Sequence, residues 1–128
     1  MTSLETVESI YAAFGRGDIS YIVSLMAPDV FWRQTNVPWG GDYHGPEGVV
    51  AFFTKLNDTA ETTGFEVEEN IEAPGQVFTY GYYSSRTRAT GKSSRARFVF
   101  RWQFEQGKVK RYEAVLDSAP IVEASRPD

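Results

Sequence analysis

Apolar residues recur every three or four positions in the first half of the chain and every second position in the rest. The first spacing is that of an amphipathic helix and the second that of a strand. Leu4, Val7, Ile10, Tyr11 and Phe14 predict a first helix, and Thr2 followed three residues later by Glu5 predicts a capping box at its start. In "GRGD" a glycine ends that helix and Asp18 caps the next. Ile19, Ile22, Val23, Leu25 and Met26 form a short apolar helix that Pro28 stops, and Asp29 to Gln34 reads as a strand. After a loop, Pro46 at a first helical position and Glu47 in the first turn predict a third helix. Its apolar face holds Val49, Phe52, Phe53 and Leu56, and it ends between Asn57 and Gly64.

From Phe65 the period is two. Strands are predicted at Phe65 to Ile71, Val77 to Arg88, Arg95 to Phe104 and Val109 to Asp117, separated by "EAPGQ", "ATGKSS" and "EQGK" turns. The tail after Pro120 reads as loose, or as docked at a sheet edge through Ile121 and Val122. Helices followed by a meander predict one α+β domain over 1–128, ordered over about 3–121. The expected architecture is three N-terminal helices on a strongly curved, mostly antiparallel sheet around a cone-shaped core. Any part of the cone left unfilled is a pocket.

Composition narrows the function. The chain has 128 residues, no cysteine, one histidine and a net charge of -4. Disulfide and thiolate chemistry are excluded, and the acidic balance does not favour a nucleic-acid partner. Neither a metal site nor a nucleotide cofactor is expected, because ligand residues and a glycine-rich phosphate loop are missing. No apolar run has membrane-spanning length, and "MTSLETVES" lacks the basic-then-apolar start of a signal peptide, so a cytoplasmic protein without membrane contact is expected. Aromatic residues reach 15%, which suits a core, an interface or the wall of an apolar pocket.

Candidate chemistry follows from strand parity. Phe98, Phe100, Trp102 and Phe104 share one face of a strand, as core or pocket wall. Arg97, Val99, Arg101 and Gln103 share the other, a face suited to a partner. The basic residues of this half and the acidic run Glu66, Glu68, Glu69 and Glu72 are explained by cross-strand pairing without a ligand. Asp117, where the last strand stops, either points into a cavity mouth or caps a turn in water. Trp32, Trp39, Tyr43 and the lone His44 surround the loop "GDYHGPEG" and are lining candidates. Tyr11, Gln34, Phe53, Phe100, Trp102, Tyr112 and Leu116 join them.

The segments "YAAFGRGD", "SLMAPDVFW", "YHGPEGVVAFF" and "FRWQFEQGKVKRYEAVLDSA", in this order, resemble the SnoaL-like and ketosteroid-isomerase-like branch of the nuclear-transport-factor-two-like superfamily, over Leu4 to about Ile121. The resemblance implies the cone-shaped fold and a pocket. Steroid isomerisation is not implied, because Ile10, Gln34 and Phe100 occupy the places of that chemistry's tyrosine, general base and buried acid. The histidine of related polyketide cyclases is also missing near Phe100, while their strand-end aspartate matches Asp117. The Asp-Arg-Asp network of related epoxide hydrolases lacks a second aspartate. Three functions stay open. One is cofactor-free acid/base catalysis on a small apolar molecule by Asp117 and His44. The second is ligand binding without chemistry. The third is association, with a homodimer formed through the Arg97, Val99, Arg101 and Gln103 face.

Overall fold

The computed structural model describes residues 1–128. Helix α1 spans Ser3–Gly15, and both halves of its capping box form. The Glu5 N–H donates to Thr2 Oγ1 at 3.1 Å, and the Thr2 N–H donates to the Glu5 carboxylate at 2.8 Å. Helix α2, Ile19–Ser24, starts where Asp18 accepts from the Tyr21 N–H at 3.1 Å. Strand β1 then covers Met26–Gln34, three residues more than its pattern predicts at the start. Pro28 lies inside it, in an irregular stretch between the paired Met26 and Phe31, where no regular ladder donor is needed. The glycine-rich loop contains a short strand, β2, Gly41–His44. Gly45 takes a φ of 72°, a conformation open to glycine, and turns the chain into helix α3, Gly45–Thr59.

Four long strands follow: β3 Ala60–Ala73, β4 Gln76–Thr87, β5 Ser93–Glu105 and β6 Lys108–Leu116. Helix α4, Ala119–Ala124, ends the fold, with Pro120 in its first turn. The sheet order is β2-β1-β6-β5-β4-β3. All neighbours are antiparallel except β1 and β6, which run parallel.

Two expectations are corrected. The sheet is a mixed six-stranded one that is not strongly curved, so the cone-shaped architecture does not hold. Nor are the helices confined to three N-terminal positions, because the tail forms α4 and buries Ile121 and Ala124 against the fold. Six residues do not hold a helix in water by propensity. Burial of those two side chains supplies the stability, with Thr90 Oγ1 donating to the Ala124 carbonyl at 2.6 Å.

The inner face of the sheet and the apolar sides of α1 and α3 share one core, which includes Val7, Ile10, Val49, Phe52 and Leu56 from the helices. Gly81 is fixed by close approach. A Cβ built there meets the Glu66 carbonyl oxygen at 1.8 Å, beside the register shift between Val67 and Glu69. On the outer face the charge pairing is as the sequence predicts: Arg95 meets Glu66 at 3.2 Å and Arg97 meets Glu68 at 3.1 Å. No helix is long and apolar enough to cross a membrane.

Candidate functional site: an aromatic cavity between helices and sheet

Strand pairing sets out the floor of the site in rows. One row crosses the sheet as Thr79, Phe100, Ala114 and Gln34, and the next as Val77, Trp102, Tyr112 and Trp32. Residues two apart on a strand share a face, so both rows look toward the helices. The short Ala114 side chain separates Phe100 from Gln34, and both of these border a cavity of about 60 Å³. Fifteen of its sixteen lining residues are hydrophobic, and the exception is Gln34. Helix α1 contributes Ile10, Tyr11 and Phe14, α2 contributes Ile22, and α3 contributes Phe52, Phe53 and Leu56.

The rings pack edge to face and offset. Trp32 lies 4.0 Å from Tyr112 and 5.6 Å from Trp102 between ring centres, and Phe65 stacks on Phe98 at 5.2 Å. Tyr11, Phe14, Phe53 and Phe65 are only partly buried. Phe14, Phe53 and Leu56 also line a surface groove between α1, α2 and α3, so these residues form the mouth.

Polar groups at the cavity divide into satisfied and unsatisfied sets. Trp102 Nε1 donates to Tyr11 Oη at 2.8 Å, Tyr11 Oη donates to Thr79 Oγ1 at 2.7 Å, and Thr79 donates to Asn70 Oδ1 at 2.6 Å. Tyr83 Oη shares a hydrogen bond of 2.7 Å with Thr62 Oγ1. By contrast, the buried indole nitrogens of Trp32 and Trp39 have no acceptor. Burial pushes the Tyr11 hydroxyl well above the ordinary phenol range, against the smaller lowering by its bonds to Thr79 and Trp102. Burial raises Tyr112 in the same way, with a further contribution from Tyr11 and Tyr83. These phenols are neutral at physiological pH, donors and acceptors rather than bases. No cluster of three or more His, Asp or Glu side chains stands close enough to hold a metal ion.

Of the residues the sequence nominates, the structure gathers Tyr11, Trp32, Gln34, Trp39, Phe53, Phe100, Trp102, Tyr112 and Leu116 around the cavity. Tyr43 stands one layer back, packing on Phe52 and donating from Oη to the Trp39 carbonyl at 3.0 Å. His44 and Asp117 lie outside it, both exposed. The pairing of β2 explains His44: Tyr43 sits opposite Trp32 on the inner face, so His44 falls opposite Phe31 on the outer one, 5.2 Å away between ring centres. Asp117 follows the inward Leu116 and accepts a long 3.4 Å bond from the Ala119 N–H at the start of α4. Arg97, Val99, Arg101 and Gln103 share the outer face as parity predicts. There Arg97 donates to Tyr82 Oη at 2.9 Å and Arg101 to Gln76 Oε1 at 2.9 Å. The sequence pattern did not single out Ile10, Phe14, Ile22, Phe52, Leu56, Phe65 and Tyr83 as lining residues. The inward parity of β4, which carries Val77, Thr79 and Tyr83, is the signal that exposes the last of these.

A fold with this element order and an aromatic cavity on the inner sheet face defines the class of small α+β pocket proteins. The model of the SnoaL-like domain matches residues 7–112, and the chain belongs to that family, within the nuclear-transport-factor-two-like superfamily. It is similar to an NTF2-like protein from Burkholderia thailandensis, at 27% identity over 96% of each chain with a TM-score of 0.90. An NTF2-like protein from Burkholderia pseudomallei is 28% identical over 94% of this chain and 95% of that one, with a TM-score of 0.87. TerC, co-crystallised with polyporic acid, is 26% identical over 94% of this chain and 95% of its own, with a TM-score of 0.82. The fold is also shared with a ketosteroid-isomerase-like protein from Catenulispora acidiphila, at 12% identity and a TM-score of 0.84. No curated protein matches the chain.

Proposed function

We propose that this protein binds a small, mostly apolar organic molecule in the cavity between its helices and the sheet, without itself supplying an acid or base. One observation carries the reading: fifteen of sixteen lining residues are hydrophobic and none is a carboxylate, an imidazole or a cation. Proton transfer needs a titrating group within hydrogen-bond reach of the reacting atom. Asp117 and His44, the residues nominated for that role, are exposed outside the lining. The co-crystallisation of TerC with polyporic acid supports an organic ligand for a protein of this shape.

The cavity of about 60 Å³ is smaller than the roughly 150 Å³ that admits benzene in an engineered apolar cavity. A ligand therefore enters by displacing the partly exposed rings at the mouth, Phe14 and Phe53. Titration calorimetry with the bicyclic hydrocarbon indane tests this. One saturable site per chain with a negative heat-capacity change is expected. Absence of heat and of any competition at the solubility limit overturns the reading.

A homodimer through the outer sheet face is a second proposal, supported by an apolar strip there. Val99 and Val115, paired across β5 and β6, are 48% and 64% exposed, and Tyr80 lies beside Val99. A two-fold contact centred on this strip covers side chains that the helices, packed on the inner face, leave open.

A further inference from the structure

One buried side chain of the cavity wall is carried by a loop rather than by a helix or strand. Gln34 and Gly41 are paired, so residues 35–40 form a hairpin loop between β1 and β2. Thr35, Asn36 and Pro38 are exposed and Val37 and Gly40 half-buried, yet Trp39 is only 2% exposed. The strand ends explain its position. β1 stops at the row of Gln34, Ala114 and Phe100. β6 runs on to Leu116, paired with Phe98, and β4 and β5 run further, to Tyr83 and Ala96 and beyond. The sheet thus has a step beside the end of β1. The Trp39 ring closes it, 6.0 Å from the Tyr83 ring between centres, and both rings border the cavity.

Little besides burial holds the ring there. Within 35–40 the one backbone hydrogen bond is internal, from the Gly40 N–H to the Val37 carbonyl at 2.9 Å. The one side-chain bond to the loop comes from Tyr43 Oη to the Trp39 carbonyl at 3.0 Å, and Tyr43 belongs to the same hairpin. The Trp39 indole N–H is buried without an acceptor, so for that group the seated position is worse than one in water. Trp32 has the same lack, but it lies within β1, held by β2 on one side and β6 on the other. The loop also has joints near both ends. Asn36 takes a φ of 62° and Gly41 one of 143°. A few loop residues of this kind can absorb the dihedral changes of a moving segment. Below the joints the hairpin is firm, with Arg33 paired to Asp42 and joined to it by an ion pair of 2.7 Å. Gly40 lets the loop close down. A Cβ there meets the Gln34 carbonyl oxygen at 2.6 Å and the Val37 carbonyl oxygen at 3.0 Å.

We propose that residues 35–40 are a lid, which swings about Asn36 and Gly41, lifts Trp39 off Tyr83 and opens the cavity at the end of β1. None of these residues borders the groove at the mouth, so this is a second opening, separate from Phe14 and Phe53. With Trp39 lifted, the apolar space lengthens along the sheet and takes molecules longer than the closed cavity admits. That use of the lid rests on the cavity being a binding site, as argued above, whereas the motion does not.

Hydrogen exchange of the indole N–H groups tests the lid without a ligand. The chain has three tryptophans, so the ¹⁵N-labelled full chain gives three indole signals, assigned by single Trp→Phe variants. After transfer to D₂O the Trp39 signal should vanish at least about tenfold sooner than those of Trp32 and Trp102, because a local opening frees it alone. In urea well below the unfolding midpoint its rate should stay unchanged, since the lid exposes little surface. Trp39 exchange at the rate of Trp32, with both accelerating in urea, would overturn the lid. Gly40→Ala should speed Trp39 exchange several-fold and leave Trp32 and Trp102 as they are, and equal acceleration of all three would count against the lid. If that variant does not fold, the rates in the unsubstituted chain still decide. Fluorene, a tricyclic hydrocarbon longer than indane, should bind with Trp39 unprotected. Fluorene bound with Trp39 still protected would overturn the lid's part in binding. Fast Trp39 exchange in a chain that binds neither hydrocarbon would support the lid and overturn the binding site.

Discussion

Tyr11 holds the wall of the cavity together through its hydroxyl. It accepts from Trp102 and donates to Thr79, both buried. Tyr11→Phe keeps the ring and deletes both bonds, leaving the Trp102 N–H without an acceptor. The expected cost is about 1–3 kcal/mol, read as a lowered urea midpoint with an unchanged slope. Asp117→Asn is expected to leave indane affinity unaltered, because Asp117 stands outside the lining. A large loss of affinity in that variant, by calorimetry, would place Asp117 back at the ligand. Alternation made most of the site legible: Phe100, Trp102, Tyr112, Trp32 and Gln34 all fall on the inward parity of their strands. His44 was not legible, because its direction depends on β2, a four-residue strand with an exposed, glycine-led pattern. The opposite fates of the Trp102 and Trp32 nitrogens depend on where Tyr11 reaches from another element, which no local pattern encodes.

Between elements, the predictions concern how strands and the last helix are fixed. Gly81→Ala puts a methyl onto the Glu66 carbonyl, which belongs to the neighbouring backbone and cannot rotate away. A cost of about 3 kcal/mol or more is expected by denaturant titration, at the upper end for overpacking. Ile121→Ala tests whether α4 belongs to the fold: Ile121 is 1% exposed, and its loss should cost about 2–5 kcal/mol by the same measurement. A neutral result would return the tail to the loose state that its sequence suggests. The capping residues Thr2, Glu5 and Asp18 marked the first two helices because their bonds are local. The parallel pairing of β1 with β6 was invisible for the opposite reason. It joins Trp32 to Tyr112 across the whole sheet half of the chain, and parity says which face a residue takes but not which strand lies beside it.

For the whole molecule, the raised hydroxyls of Tyr11, Tyr83 and Tyr112 give stability a direction with pH. Below the ordinary phenol value of 10.0 folded and unfolded chains are both protonated there, and these groups add no pH dependence. Above it the unfolded chain loses those protons while the folded chain keeps them, so the unfolded state binds fewer protons and stability falls as pH rises. Urea midpoints should decline only above about pH 10, where the unfolded chain's phenols ionise, and absorbance should show these tyrosines ionising only as the fold opens. Assembly is tested on the outer face: sedimentation at micromolar concentration is expected to show a dimer, with a buried area above about 1,000 Å². Val115→Glu should convert it to monomer without affecting the cavity. The family was legible from the order of its segments, whereas the shape of the sheet was not, because curvature is set by packing among all its strands.

The most direct test of the account is a crystal structure of the protein saturated with indane. The account predicts density for the hydrocarbon between the helices and the sheet, against Phe100 and Tyr112, with Phe14 or Phe53 moved aside at the mouth. An unaltered, unfilled cavity with indane seated only on the outer sheet face would contradict it.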